Sequence, residues 1–159
     1  LHGSSAASDV YKRQVPEALT GLRTIFNAFH HFPPDLARRI LADAASSRQP
    51  ILIVEVPHRS VGVALFLSAF SVFTLALTPL IRPVTAGRLL WTYVIPVMPV
   101  MIGIDGVLSA IRAYDRSEWE ALTAGLDDGY TWHIQRARGK GALVPATVVL
   151  GRPVSPHQR

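Results

Sequence analysis

The sequence contains no cysteine, which excludes disulfides, thiolate metal centres and a cysteine nucleophile at the outset. Lysine is nearly missing as well: Lys12 and Lys140 are the only two, and arginine supplies the rest of the 16 basic residues, set against 11 acidic ones. No basic run is interleaved with aromatic residues, so no nucleic-acid partner is expected. Neither G-x-G-x-x-G nor G-x-G-x-G occurs anywhere, so the chain carries no glycine loop of the kind that cradles a nucleotide. Charge is absent from residues 61–81, and no internal repeat or low-complexity tract is present. What remains is a chain of 159 residues, enough for one domain with a real core.

Part of that length does not read as natural protein. Residues 4–14, SSAASDVYKRQ, match residue for residue the in-frame translation of a common sequencing-library transposon adaptor. Residues 1–14 are therefore expected to be non-native and are set aside, as a tag would be. Natural residues upstream of Val15 are expected to be missing. Without Lys12, Arg13 and Asp9 the formal charge falls from +5 to +4, because 14 basic residues then face 10 acidic ones.

Residues 22–28, LRTIFNA, form a short, mostly apolar run after Gly21 and suit a buried strand. Pro33, Pro34 and Asp35 are helix-start residues, and Leu36, Ile40, Leu41 and Ala44 fall on one helical face. PILIVEVP then supplies a β-branched strand over 51–54 that ends at Glu55. Strand, helix, strand in this spacing predicts a parallel pair.

The middle has another character. As a helix the 21 residues of 61–81 would run about 31 Å, close to a bilayer core of about 30 Å. Arg59 and Arg82 bracket it. Ser68, Ser71, Thr74 and Thr78 recur every three or four residues, a stripe suited to close packing against another helix in lipid or in protein. Residues 89–104 are also uncharged, but Pro96 and Pro99 are expected to interrupt them, which favours a re-entrant or interfacial hairpin over a second clean span. Beyond Asp105 the chain again resembles soluble protein. Ser117 and Glu120 match a capping box and Gly125 a helix stop. YTWHIQRA and ALVPATVVLG, joined through Gly139-Lys140-Gly141, read as a terminal β-hairpin. The expected organisation is a strand-helix-strand over 15–58, an apolar helical insert over 59–113, a helix and hairpin over 114–153, and a tail over 154–159.

On LRTIFNAFHHFPPDLARRILADA followed by PILIVEVP, and loosely on 130–150, the chain resembles the C-terminal half of class I S-adenosylmethionine-dependent methyltransferases. The resemblance implies an α/β fold: half of a doubly wound, mostly parallel sheet whose last strand is reversed in a terminal antiparallel hairpin, carrying a long apolar helical insert. It also implies S-adenosylmethionine as cofactor, with the main binding loop upstream of this chain.

In a doubly wound sheet, ligands sit beyond the carboxyl ends of the strands. The first strand ends at Asn27, Ala28, His30 and His31, and the second at Glu55. The resemblance then places Asn27, Ala28 and His30 toward the cofactor, and His30, His31 or Glu55 as a base where the acceptor must lose a proton. The plain alternative is that Asn27 and His30 belong to a loop capping the next helix and that Glu55 is a solvated strand end. Adjacent histidines rarely share one ion and no third ligand is spaced nearby, so no metal is expected. Two functions follow. One is methyl transfer to an apolar or lipid-like acceptor, with 61–104 as lid or membrane contact on the cytoplasmic face. The other is a small membrane-associated structural or binding protein without catalysis. The sequence sets neither the acceptor nor the oligomeric state.

Overall fold

A computed structural model describes residues 20–126 and 128–154. The expectations for residues 1–14, and for the tail beyond Val154, lie outside the described residues. The described residues divide into two compact units, one of residues 20–56 with 115–126 and 128–154, the other of residues 57–114.

The first unit is mixed α/β. Its strands are β1 (Arg23–Phe26), β2 (Ile51–Glu55), β3 (Tyr130–Ala137) and β4 (Ala146–Pro153), in the order β1-β2-β4-β3. β1 and β2 are parallel, with Ile25 opposite Ile53. β4 lies between β2 and β3 and runs antiparallel to both, with Val149 opposite Ile53 on one side and Ile134 on the other. The sheet is therefore mixed: β1, β2 and β3 run one way, and β4 is reversed between β2 and β3. The reason is local. Only β1 and β2 are joined through a crossover helix, whereas the Gly139-Lys140-Gly141 turn folds β3 straight back onto β4.

The crossover is α1 (Pro34–Ser46), which starts where Pro34 needs no amide partner and Asp35 meets the helix N-terminus. It buries Leu36, Ala37, Ile40, Leu41 and Ala44 on one face. Alternation along β2 buries Ile51, Ile53 and Glu55, and their partners Gly151, Val149 and Thr147 are buried on the same face. A short helix, α5 (Arg116–Thr123), adds Trp119 and Leu122, and Trp119 stacks on Phe29 with ring centroids 4.7 Å apart.

The capping box of α5 is formed by Asp115 and Glu118, not by Ser117 and Glu120. Asp115 Oδ1 accepts from the Glu118 amide at 2.9 Å, and the Asp115 amide donates to Glu118 Oε2 at 2.8 Å. Two overlapping box patterns occur in DRSEWE, and the earlier one leaves Ser117 to donate to Asp115 Oδ1. Gly125 follows the helix at φ +71°, the left-handed stop its position implied.

The second unit is a helical hairpin. α2 (Val61–Leu77) continues through a 3-10 turn, Thr78–Leu80. The return arm begins with α3 (Ala86–Leu89), which runs into a π-helical turn, Leu90–Val94. It then bends by 63° and continues as α4 (Val97–Arg112). Pro96 accounts for the break. Pro99 does not interrupt the helix, because in the first turn its missing amide would have had no partner.

Candidate functional site

The residues singled out at the strand ends come together in the first unit, and the local chain path explains how. β1 stops at Phe26, and Asn27 turns the chain with φ +49°, a left-handed conformation that asparagine tolerates better than most residues. The Asn27 amide still donates to the Val54 carbonyl at 2.9 Å. Its side-chain Oδ1 accepts from the Val56 amide at 2.8 Å. One residue thereby ties the ends of both parallel strands together.

Immediately afterwards the chain enters a single 3-10 turn, Phe29–His31. The first amides of such a turn have no partner within it. Glu55, the last residue of β2, supplies one: its Oε1 accepts from the amides of Ala28 at 2.9 Å and Phe29 at 2.7 Å. The other oxygen, Oε2, lies 2.5 Å from His30 Nδ1. With the carboxylate ionised, Nδ1 carries the shared hydrogen and the imidazole tautomer is set. Glu55 and His30 are each only 4% exposed. His31 is exposed, and its ring lies 4.1 Å from that of His30, tilted by 39°.

This geometry separates roles that the sequence left together. Both oxygens of Glu55 are engaged, so it orients His30 rather than acting as the base itself. With Nδ1 committed, Nε2 is the nitrogen through which His30 can exchange a proton, in the manner of a carboxylate-oriented histidine. Asn27 Oδ1 accepts from the Val56 amide and the Ala28 amide donates to Glu55, so both groups already serve the local fold. Among the described residues no group of three His, Asp or Glu side chains is arranged to hold a metal ion.

Sequence reasoning did not single out Arg38. From α1 it donates to the carbonyls of Leu122 at 2.9 Å and Ala124 at 2.9 Å, closing the C-terminus of α5. An arginine on the polar face of an amphipathic helix carries no signal of such a long-range cap.

The second unit holds a cleft of about 470 Å³, lined by Val61, Ala64, Leu65, Val107, Ala110 and Ile111 with Arg59 and Ser60 at one end. None of the residues predicted for the site lines it. Compared with known proteins, the chain matches no family model, no curated protein and no solved structure.

Proposed function

We propose that this chain supplies the acceptor side of an S-adenosylmethionine-dependent methyltransferase acting on an apolar or lipid-like molecule. The observation that carries the proposal is the Glu55–His30 pair, set at the carboxyl ends of two neighbouring parallel strands. The bound cofactor would supply an electrophilic methyl group. His30 Nε2 takes the proton that the acceptor gives up, and Glu55 holds the ring and stabilises the imidazolium that forms. The reversed β4 agrees with the reversed last strand that the resemblance implies. So does the open edge of β1 among the described residues, where Phe26 is 59% exposed, because an upstream half-sheet would add its strands there.

On this reading residues 61–104 contact a membrane from its cytoplasmic face. Flotation of the chain on anionic liposomes that persists in high salt would support that contact, and its failure at any salt would remove it. The cofactor loop belongs upstream of Val15. Titration calorimetry should show no binding of S-adenosylmethionine to this chain and clear binding once the natural upstream sequence is restored. A glycine-rich turn after a strand should appear within roughly a hundred residues of upstream sequence, the size of the missing half-domain. Tight binding by the chain alone, or an upstream sequence without that turn, would overturn the assignment.

The near-complete burial of His30 and Glu55 favours a second reading, a membrane-associated protein in which the pair only fastens a loop. His30→Gln separates the two. Methyl transfer by the restored protein should be lost with cofactor binding intact if His30 is the base, and no activity should exist to lose if the pair is structural.

A further inference from the structure

Within the 57–114 unit the usual distribution of polarity is reversed. Helix 61–80 has 20 residues and a mean hydropathy of 2.1, yet only 11% of its most apolar window is buried. Among the described residues, every large exposed apolar side chain except Leu22, Phe26 and Leu143 lies in this unit. Small and hydroxyl residues along the contact between the arms, Ser68, Ser71, Thr78, Gly103 and Gly106, are instead half-buried or buried. Ser68 Oγ donates to the Ala64 carbonyl at 2.8 Å and lies 3.2 Å from the Gly103 carbonyl on the opposite arm. A Cβ on Gly106 would stand 2.9 Å from the backbone of Leu67, so the arms meet at that glycine without a side chain between them. Thr74 and Thr78 return their hydroxyls to carbonyls of their own helix, and the Tyr93 hydroxyl donates to the Leu75 carbonyl. Small residues at the contact, polar groups satisfied internally and apolar groups outward are what a bilayer asks of a helix pair.

The arms are antiparallel, with Arg59 beside Ile111 at the base, where Arg59 Nε donates to the Ile111 carbonyl at 3.3 Å. At the tip Arg88 donates to the Ile81 carbonyl at 2.7 Å, beside Arg82 in sequence. Base and tip are thus both cationic, and 20 helical residues separate them by about 30 Å, the thickness of the hydrocarbon core. A hairpin that stopped half-way would leave two guanidinium groups near the bilayer centre. One that crosses carries both to the far headgroups and leaves a single carboxylate, Asp105, off centre within the core. The balance favours crossing.

We propose that residues 57–114 form a hairpin that crosses the whole bilayer and returns, with Arg82 and Arg88 seated in the far headgroup layer. This rests on the membrane contact read above and goes further in fixing its depth and direction. The absence of native cysteine makes the test direct. Ser60→Cys and Val84→Cys place single thiols at base and tip of the full chain, added to preformed anionic vesicles and recovered by flotation. A bulky, impermeant maleimide outside intact vesicles should label Ser60→Cys and spare Val84→Cys. The same reagent trapped in the lumen should label Val84→Cys alone. Outside labelling of Val84→Cys would show a hairpin lying on the surface, and protection of that thiol from both sides until detergent is added would show one that stops inside the bilayer. Either result overturns the proposal while leaving membrane contact standing; failure of the chain to float removes both. Asp105→Leu adds an independent readout: the lumen-labelled fraction of the Val84→Cys chain should rise, and an unchanged or lower fraction would count against placing Asp105 in the core.

Discussion

Glu55 answers three donors at once, the amides of Ala28 and Phe29 and the ring of His30, in a place with almost no access to water. Replacing it with alanine strands all three, and stability to urea should fall by roughly 3 kcal/mol, the scale of a broken buried network. Glu55→Gln keeps one acceptor oxygen for the amides and should cost less. Arg38→Met tests a contact the sequence did not announce: losing its bonds to Leu122 and Ala124 should destabilise by about 1 kcal/mol in the same assay. Tyr130 offers a test by pH. Burial pushes its hydroxyl up to about 12, opposed by the nearby Arg23 guanidinium and by backbone hydrogen bonding. The folded state then holds the proton more tightly than the unfolded chain, whose tyrosine titrates near 10. Its contribution is whole below pH 10 and is lost as pH rises toward 12. Thermal melts should show that loss, and Tyr130→Phe should flatten it. At this scale the sequence was readable where chain neighbours decide: Asn27, His30 and Glu55 stand at strand ends because the strands end there. It was unreadable where partners are far away, since nothing near Arg38 names residues more than eighty positions on.

β3 and β4 meet through an unusual pair, Trp132 opposite Gly151. A Cβ on Gly151 would fall 2.5 Å from the Trp132 ring and 2.7 Å from the Tyr130 ring, so both aromatic side chains lie across bare backbone. Gly151→Val should therefore destabilise by roughly 1–3 kcal/mol through overpacking, read by urea unfolding and by loss of the near-ultraviolet signal of these rings. Strand and helix existence was legible locally: β1, β2 and α1 sit close to the bounds that the short apolar runs and the Pro33-Pro34-Asp35 start imply. Boundaries followed finer causes. α5 takes the earlier of two overlapping caps, β4 begins only after Pro145, which has no amide to donate, and Pro99 survives inside a helix because the first turn forgives it. The order of the sheet was the least legible element, because placing β4 beside β2 depends on contacts nearly a hundred residues apart.

For the whole molecule, the two units differ in where their apolar side chains lie. The α/β unit buries Ile51, Ile53, Val149 and Trp119 as a water-soluble domain does, while the hairpin turns its apolar side chains outward. Gly106→Leu should therefore disturb only the hairpin: the arms must part where Gly106 meets Leu67, and protease resistance of that unit in vesicles should fall while urea unfolding of the sheet stays unchanged. The strand order also dictates a timetable. Among the described strands β4 comes last in sequence, yet it is the one that joins β2 to β3. While a ribosome still holds residues 146–153, β1 and β2 can pair but β3 has nothing to pair with, and the entire hairpin has already been synthesised. The four-stranded sheet cannot close until residues 146–153 are free, and by then the whole apolar hairpin has been made. Closure across so long a sequence separation is slow compared with local helix formation. A stop codon placed just before Ala146 would leave only the β1–β2 pair and strand β3 without its partner, rather than remove one edge strand.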